Sequence, residues 1–465
     1  MIDGLKPYAK SKESGQAWLG SVPSHWPVLP NRAIFAEVKD RDHPDEQMLS
    51  VTITRGIVQQ KTLLANSSKK DSSNLDKSKY KLVQPRDIAY NKMRAWQGAI
   101  AVSDFRGIIS PAYIVMRLRE EQNARYFHHL YRTPQFAKEA ERWSYGITSD
   151  MWSLRAEHFK LIYSAQPPPD EQAAIVQFLD HANGRVEQAI RAKKKLMALL
   201  NEQKQTIIHR AVTRGLNSNV AFKTSGTPWL GDIPKHWEVR RLRFCIRGKL
   251  TYGANAAADF DNPDWPRYLR ITDFNADGSL RPDTFRSLPP TVARDYLVEN
   301  GDILFARSGA TVGKAFLVRT DTVKACYAGY LIRARPNSDV VLPTFLFAFT
   351  QTIAFARWKD AIFNRATIQN IGADKYANLA VPIPPIAEQQ AILDSVEKEI
   401  EPIRTASSRI EREIGLLREY RTRLVADVVT GKLDVRAAAA KLPAELEPAA
   451  EPTIDSEIET EELEP

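Results

Sequence analysis

This chain writes one segment twice, and that duplication limits its architecture more than any other feature. Trp18-Leu19-Gly20-Ser21-Val22-Pro23-Ser24-His25-Trp26-Pro27-Val28 returns as Trp229-Leu230-Gly231-Asp232-Ile233-Pro234-Lys235-His236-Trp237-Glu238-Val239, with seven of eleven positions identical. Pro167-Pro168-Pro169-Asp170-Glu171-Gln172 returns as Pro384-Pro385-Ile386-Ala387-Glu388-Gln389, and Val212-Thr213-Arg214-Gly215-Leu216 as Val429-Thr430-Gly431-Lys432-Leu433. A repeat of roughly 215 residues is far longer than a solenoid unit, so the chain is a duplicated two-part module.

Each copy has two zones. The first, ending near residue 166 and near residue 383, holds short β-prone runs such as Tyr113-Ile114-Val115-Met116 and Ile303-Leu304-Phe305, with a few helical stretches between them. That mixture predicts an α+β domain. The second zone is helical. Glu171 to Val212 contains no proline, and apolar residues recur in steps of three and four at Ile175, Leu179, Ala182, Val186, Ala189, Leu196, Leu200 and Ile207. The second copy repeats the seam at Ile392, Val396, Ile403, Ile410, Leu417 and Leu424. A period of about 3.5 residues predicts two long helices paired as a coiled coil, roughly 60 Å long. Two stripes in equivalent register favour mutual pairing over each helix lying on its own domain. Pro402 is expected to kink or restart the second helix. The expected fold is therefore two tandem pseudo-symmetric α+β domains joined by two long antiparallel helices. The expected boundaries are 1–166, 167–216, 217–383 and 384–435, with an acidic, solvating tail at 436–465.

Charge narrows the function. The net charge is +9, yet residues 441–465 carry nine carboxylates against one lysine, so the body carries +17. A basic body suits a polyanion partner. No run of about 18 apolar residues predicts a membrane span. Two cysteines and the absence of a signal-peptide pattern at the start fit the cytoplasm.

Motifs for catalysis are missing. Gly309-Ala310-Thr311-Val312-Gly313-Lys314-Ala315 resembles a phosphate loop but has three residues between its glycines and no hydroxyl after the lysine. His25 and His236 repeat beside Trp26 and Trp237, but nearby sequence offers neither a nucleophile nor a carboxylate, so their role reads as structural. His128 and His129 are adjacent and cannot face one metal from a helix.

The candidates for contacting a ligand are basic, Gly-containing turns at matching places. Lys92 and Arg94 lie on the first; Arg307, Ser308, Thr311 and Lys314 lie on the second. A later polar pair of segments carries Tyr145, Thr148 and Ser149, and Arg365, Thr367, Gln369 and Asn370. Arg55 and Arg270 are further candidates. Guanidinium groups, hydroxyls and backbone amides on such turns can hold phosphate or read a base edge. An ordinary hairpin would need only the Gly and Ser. The copies diverge here far more than in the repeated segments, so the shared segments are expected to frame two readers of different sequence.

Trp-Leu-Gly-x-x-Pro-x-His-Trp at both starts, Gly301-Asp302-Ile303-Leu304 with Arg307-Ser308-Gly309, Pro-Pro-x-x-Glu-Gln at both helix starts and Val429-Thr430-Gly431-Lys432-Leu433 together resemble the specificity subunits of type I restriction–modification systems. The resemblance covers about residues 1–435. It implies two target recognition domains, each gripping half of a split duplex DNA sequence, with the helices as spacer. It further implies no active site, metal or cofactor on this chain. Two methyltransferase subunits would supply S-adenosylmethionine and adenine N6 methylation; two restriction subunits would supply ATP- and magnesium-dependent translocation and cleavage. Asn91-Lys92-Met93-Arg94 is a loose version of the Arg-Ser-Gly turn, and the acidic tail is outside the family pattern. Two other readings remain open: a single-chain DNA methyltransferase or nuclease with atypical motifs, and an RNA-binding scaffold.

Overall fold

The proline-led stretches become the two longest helices, α1 (Pro169–Arg214) and α2 (Ile386–Val429). The computed structural model describes residues 5–65, 76–146, 148, 151–275, 278–309, 311–319, 324–363 and 370–443. Pro169 opens α1, where its missing N–H costs nothing. Gly215 follows the end of α1 in the left-handed conformation, the usual way to stop a helix. Two compact units form, and the division falls inside both helices. The first unit spans residues 1–193 and 412–465, the second 194–411. The architecture is α+β, with two tandem pseudo-symmetric domains joined by the helix pair.

Each domain has its own four-stranded sheet, with the same strand order in both. In the first unit, β1 (Phe35–Val38), β2 (Ile88–Asn91), β3 (Ile100–Val102) and β4 (Tyr113–Leu118) form an antiparallel sheet in the order β1-β4-β2-β3. In the second, β5 (Thr251–Tyr252), β6 (Ile303–Ala306), β7 (Ala315–Leu317) and β8 (Leu331–Ala334) repeat it as β5-β8-β6-β7. One buried ion pair recurs in both. Asp87, 1 % exposed, takes both arms of Arg117 at 2.7 and 2.8 Å. Asp302, also 1 % exposed, takes Arg335 at 2.8 and 2.9 Å. Each aspartate also accepts a backbone N–H three residues upstream, from Gln84 or Glu299. That geometry explains the aspartate before each central strand: it ties β2 or β6 to the strand beside it.

The helices run antiparallel inside each unit. In the first, Glu187 meets Arg421 at 3.2 Å and Lys193 meets Glu413 at 2.5 Å, so one number rises as the other falls. In the second, Arg210 meets Glu399 at 3.7 Å. Ile175, Leu179, Ala182, Leu424 and Val428 join the first domain's core; Ile208, Val212, Ile392, Val396 and Ile400 join the second's. Val186, Ile403 and Ile410 are also buried, and Leu200, Ile207 and Leu417 are partly buried.

Leu196 departs from the expected seam: it is 47 % exposed, whereas Met197 is partly covered. One row of covered positions on α1 runs 175, 179, 182, 186, 190, 193, 197, 200, 204, 208 and 211. That spacing is the ordinary helical period of about 3.6 residues. A straight α-helix drifts about 20° per heptad from a 3.5 repeat, and the drift carries Leu196 off the face. Likewise Ile400, which is not on the expected seam of the second helix, is buried on its covered face. Leu196→Lys is therefore expected to change stability by no more than about 0.5 kcal/mol. Val186 is buried, and placing a lysine there should cost about 2 kcal/mol or more. Chemical denaturation of Leu196→Lys and Val186→Lys checks this. Pro402 also departs from expectation, since α2 runs through it without restarting. It sits on an exposed face, where water can satisfy the carbonyl its ring leaves unbonded.

The repeated motifs meet in space. Glu171, only 4 % exposed, accepts from Trp26 Nε1 at 2.8 Å, lies 2.7 Å from His25 Nε2 and also accepts from the Tyr8 hydroxyl. Glu388 repeats the arrangement with Trp237 Nε1 at 3.1 Å and His236 Nε2 at 2.8 Å. Gln172 and Gln389 each donate to the carbonyl of the first proline in their Pro-Pro pair, at 2.8 and 2.9 Å. A carboxylate does accompany each His, contrary to the reading from adjacent sequence. The chain brings it from 146 residues away for His25 and from 152 residues away for His236. The outcome is a latch holding the opening Trp to the start of the long helix. Gly215 touches Trp237 of the second unit, and Gly431 touches Trp26 of the first. The first latch also gathers both ends of the body: Asp434 N donates to Lys6 O at 2.8 Å, and Arg436 reaches Glu171 at 3.1 Å.

Candidate nucleic-acid interface

The basic turn and the later polar segment come together in both units. In the first, Lys92 and Arg94 lie on the turn after β2, and Leu154 N donates to Lys92 O at 2.8 Å. The turn is held by Asn91 Oδ1, which accepts from Met93 N at 2.9 Å, and by Trp96 Nε1, which donates to Met93 O at 2.9 Å. Trp96 also packs edge-on against Trp152, with centroids 5.6 Å apart. Tyr145 is exposed and pairs with Ser153 across the neighbouring loop, where Thr148 is exposed as well. Arg55 lies on a hairpin beside the same turn. The Arg132 guanidinium staples the two, donating to Ile53 O at 2.6 Å, Thr54 O at 2.8 Å and Ile100 O at 3.2 Å. His128 supports the join from below, its Nδ1 accepting Val102 N at 3.3 Å. Burial, reinforced by the nearby Arg132 charge, pushes its pKa well below the usual value, so the ring stays neutral and can accept.

The second unit repeats the join with other side chains. Ile371 N donates to Arg307 O at 2.9 Å, and Ser308 bridges to Asn370. Arg307 Nε lies 3.4 Å from Asn370 Oδ1, and its guanidinium stands 5.1 Å above the Tyr252 ring. Its own N–H donates to Tyr330 O at 2.9 Å. Tyr252 and Tyr330 are 42 % and 65 % exposed, so an exposed aromatic ring lies under the guanidinium and a second exposed tyrosine is joined to Arg307 through the backbone. Thr311 and Lys314 lie on the β6–β7 turn, with Lys314 exposed. Arg307, Ser308 and Asn370 thus form one cluster, while in the first unit the segments carrying Lys92, Arg94 and Tyr145 are joined through Leu154 and Ser153, and the Arg55 hairpin through Arg132.

Arg270 is placed differently. Its guanidinium donates to Asp273 at 2.7 and 3.1 Å and to Thr284 O at 2.8 Å, and Asp273 is fully buried. These bonds commit Nε and one of its two terminal nitrogens to holding a turn. Ser149, Arg365, Thr367 and Gln369 lie outside the described residues. Tyr252, Tyr330 and Arg132 are not legible in the sequence because each reaches its cluster through a long-range contact. An exposed tyrosine next to a glycine, as in Gly329-Tyr330, is the one local hint. Among the described residues no group of three or more His, Cys, Asp or Glu side chains could hold a metal ion, and no helix is long and apolar enough to cross a membrane.

Residues 234–414, which include this second cluster, match the family of the type I restriction modification DNA specificity domain. The type I restriction enzyme EcoBI specificity subunit of Escherichia coli is 23 % identical over 352 residues, which is 70 % of this chain and 72 % of that protein. Over most of its length the chain is similar to type I specificity subunits, and residues 234–414 match their DNA specificity domain. A putative type I restriction enzyme MjaX specificity subunit of Methanocaldococcus jannaschii is also 23 % identical, over 70 % of this chain and 69 % of that one. A solved chain from a study of complex assembly and conformational transition of a type I restriction–modification system has the same fold, with a TM-score of 0.63 at 17 % identity. It covers 89 % of this chain and 99 % of that one. The matched domain is one of DNA specificity, and neither the single-chain enzyme nor the RNA scaffold is favoured for this chain.

Proposed function

We propose that this chain is the specificity subunit of a type I restriction–modification complex, its non-catalytic reader, gripping a split duplex target with one half on each unit. The observation that carries the reading is the repeated backbone join, Lys92 O with Leu154 N and Arg307 O with Ile371 N, dressed with different side chains in each unit. A shared frame with divergent polar tips suits two readers of two sequences. Lys92, Arg94, Tyr145 and Thr148 serve the first half; Arg307, Ser308, Thr311, Lys314 and Asn370 serve the second. The helix pair sets the spacing between half-sites, as linked DNA readers require. Two methyltransferase and two restriction subunits assemble on the chain in the cytoplasm. They hold S-adenosylmethionine, ATP and magnesium, while this chain supplies position and specificity.

Long-read methylation profiling, with and without the gene, tests the reading. Loss of one bipartite N6-methyladenine motif on deletion is the expected result. Methylation or cleavage by the purified chain alone, or preferential binding of RNA over duplex DNA, would refute it. Arg307→Ala sharpens the test. A bidentate contact to a base discriminates by about 1–3 kcal/mol, so discrimination should fall roughly tenfold to a hundredfold at one half of the motif and persist at the other. Equal loss at both halves argues against one reader per half.

A further inference from the structure

The second unit carries a basic depression that is separate from its reading turn. Residues 238–249 read Glu-Val-Arg-Arg-Leu-Arg-Phe-Cys-Ile-Arg-Gly-Lys, with five cations and one acid. Val239, Arg240, Arg241, Arg243 and Phe244 line a depression of about 520 Å³. Arg240 is neutralised locally by Glu238 at 2.7 Å. Among the described residues, Arg241 and Arg243 meet no such acid. Each points a guanidinium N–H at the neutral Asn378 Oδ1, at 3.3 and 3.2 Å, and both residues are exposed. Asn378 is itself held, its Nδ2 donating to Asp374 O at 2.9 Å. Arg243 also lies 4.8 Å from the centre of the Phe244 ring, which is 61 % exposed. Arg247 and Lys249 extend the exposed positive surface.

We infer that this depression grips the phosphate backbone of duplex DNA beside the bases read by the Arg307 cluster. The inference rests on the DNA-reading role proposed above and names a contact surface within it. Two guanidinium groups held side by side by one amide oxygen, with charge left uncompensated, suit phosphate oxygens and carry no base information. An exposed phenylalanine under a guanidinium suits the sugar edge of the same strand. Position agrees. Only the short helix Ala373–Ala377 separates Asn370 of the reading cluster from Asn378 of the depression. Its partner is nucleic acid rather than protein because its uncompensated charge suits a polyanion and Asn378, which holds the two guanidinium groups, follows the reader's Asn370 by a single short helix. The first copy has Pro30, Arg32 and Ala33 at the places of Arg241, Arg243 and Phe244, so the paired grip belongs to the second unit alone.

Salt dependence of binding tests it, using the full chain assembled with its methyltransferase partner on a duplex bearing the methylated motif. Each phosphate contact contributes about 0.9 to the slope of log affinity against log salt. Arg241→Ala with Arg243→Ala should flatten the slope by about 2, and counterion release at about 0.1 M salt implies an affinity loss on the order of tenfold or more. The loss should be the same for specific and unrelated duplexes, and the methylated motif should not change. Arg241→Lys with Arg243→Lys should restore most of the slope. Lys223→Ala with Lys235→Ala, which removes two exposed charges elsewhere on the unit, should leave it intact. A wild-type complex that fails to bind duplex DNA overturns the function itself. A wild-type complex that binds, beside a double alanine variant with unchanged slope, overturns only this inference. So does a variant that keeps DNA affinity but no longer co-purifies with the methyltransferase, since the depression would then be a protein interface.

Discussion

Glu171→Ala is expected to destabilise the first unit by about 3–5 kcal/mol, the usual cost of removing one partner from a buried charged network. The carboxylate is 4 % exposed and is the common acceptor for Trp26 Nε1, His25 Nε2, the Tyr8 hydroxyl and Arg436. Its loss leaves the indole N–H of a fully buried Trp26 without an acceptor and the Arg436 guanidinium with Asp434 alone. The damage should also reach the second end of the chain body, because Arg436 and Asp434 belong to the same latch. A unit of this size shifts by about 2–4 °C per kcal/mol, so its thermal transition should fall by on the order of 10 °C. Glu388→Ala is the internal comparison. That carboxylate is 30 % exposed and, among the described residues, meets no arginine. Water therefore replaces much of what is lost, and the second unit should suffer less. Equal shifts for the two variants would show that burial does not set the cost.

Gly431→Ala is the second large effect, and Gly215→Ala isolates its cause. Both glycines sit in the left-handed region with the same φ of 75°. The backbone strain from an added Cβ, about 1–2 kcal/mol, is therefore common to both. Their surroundings differ. At Gly215 the new carbon would stand 3.2 Å from Trp237 and 3.3 Å from Glu388, which a small shift relieves. At Gly431 it would overlap Pro23, reaching its Cγ at 2.7 Å, and would press on the Trp26 ring at 2.9 Å. Neither a proline ring nor a fully buried indole can give way cheaply. Overpacking adds about 1–3 kcal/mol to the strain, for a total of about 3 kcal/mol or more. Unfolding of each variant followed unit by unit is the check; a Gly431→Ala loss no larger than that of Gly215→Ala would show that the turn moves freely.

Both predictions concern motifs that are visible in the sequence, while their partners are not. The duplication, the proline-led helices and the Trp, Glu-Gln and Val-Thr segments can be read from the chain because each is a local pattern repeated at a near-constant offset. The helix seam is legible as a stripe, but its phase is not. Periods of about 3.5 and about 3.6 residues agree over two turns and separate over many, so the stripe points to Leu196 where the helix covers Met197.

The candidate site divides along the same line. Basic turns at matching places are local, and they mark Lys92, Arg94, Arg307 and Ser308. Whether a cation is free to meet DNA depends on what the fold sets beside it: Arg270 is bound to Asp273 and Thr284, whereas Arg241 and Arg243 face an amide oxygen. By itself the sequence determined two α+β domains, two long helices and the resemblance to type I specificity subunits, since these depend on periodicity and repetition along the chain. Only the tertiary structure decided which carboxylate latches each tryptophan, which glycine closes which unit and which arginines remain uncompensated. Those outcomes depend on residues far apart in the chain brought into contact, where burial and charge compensation are settled.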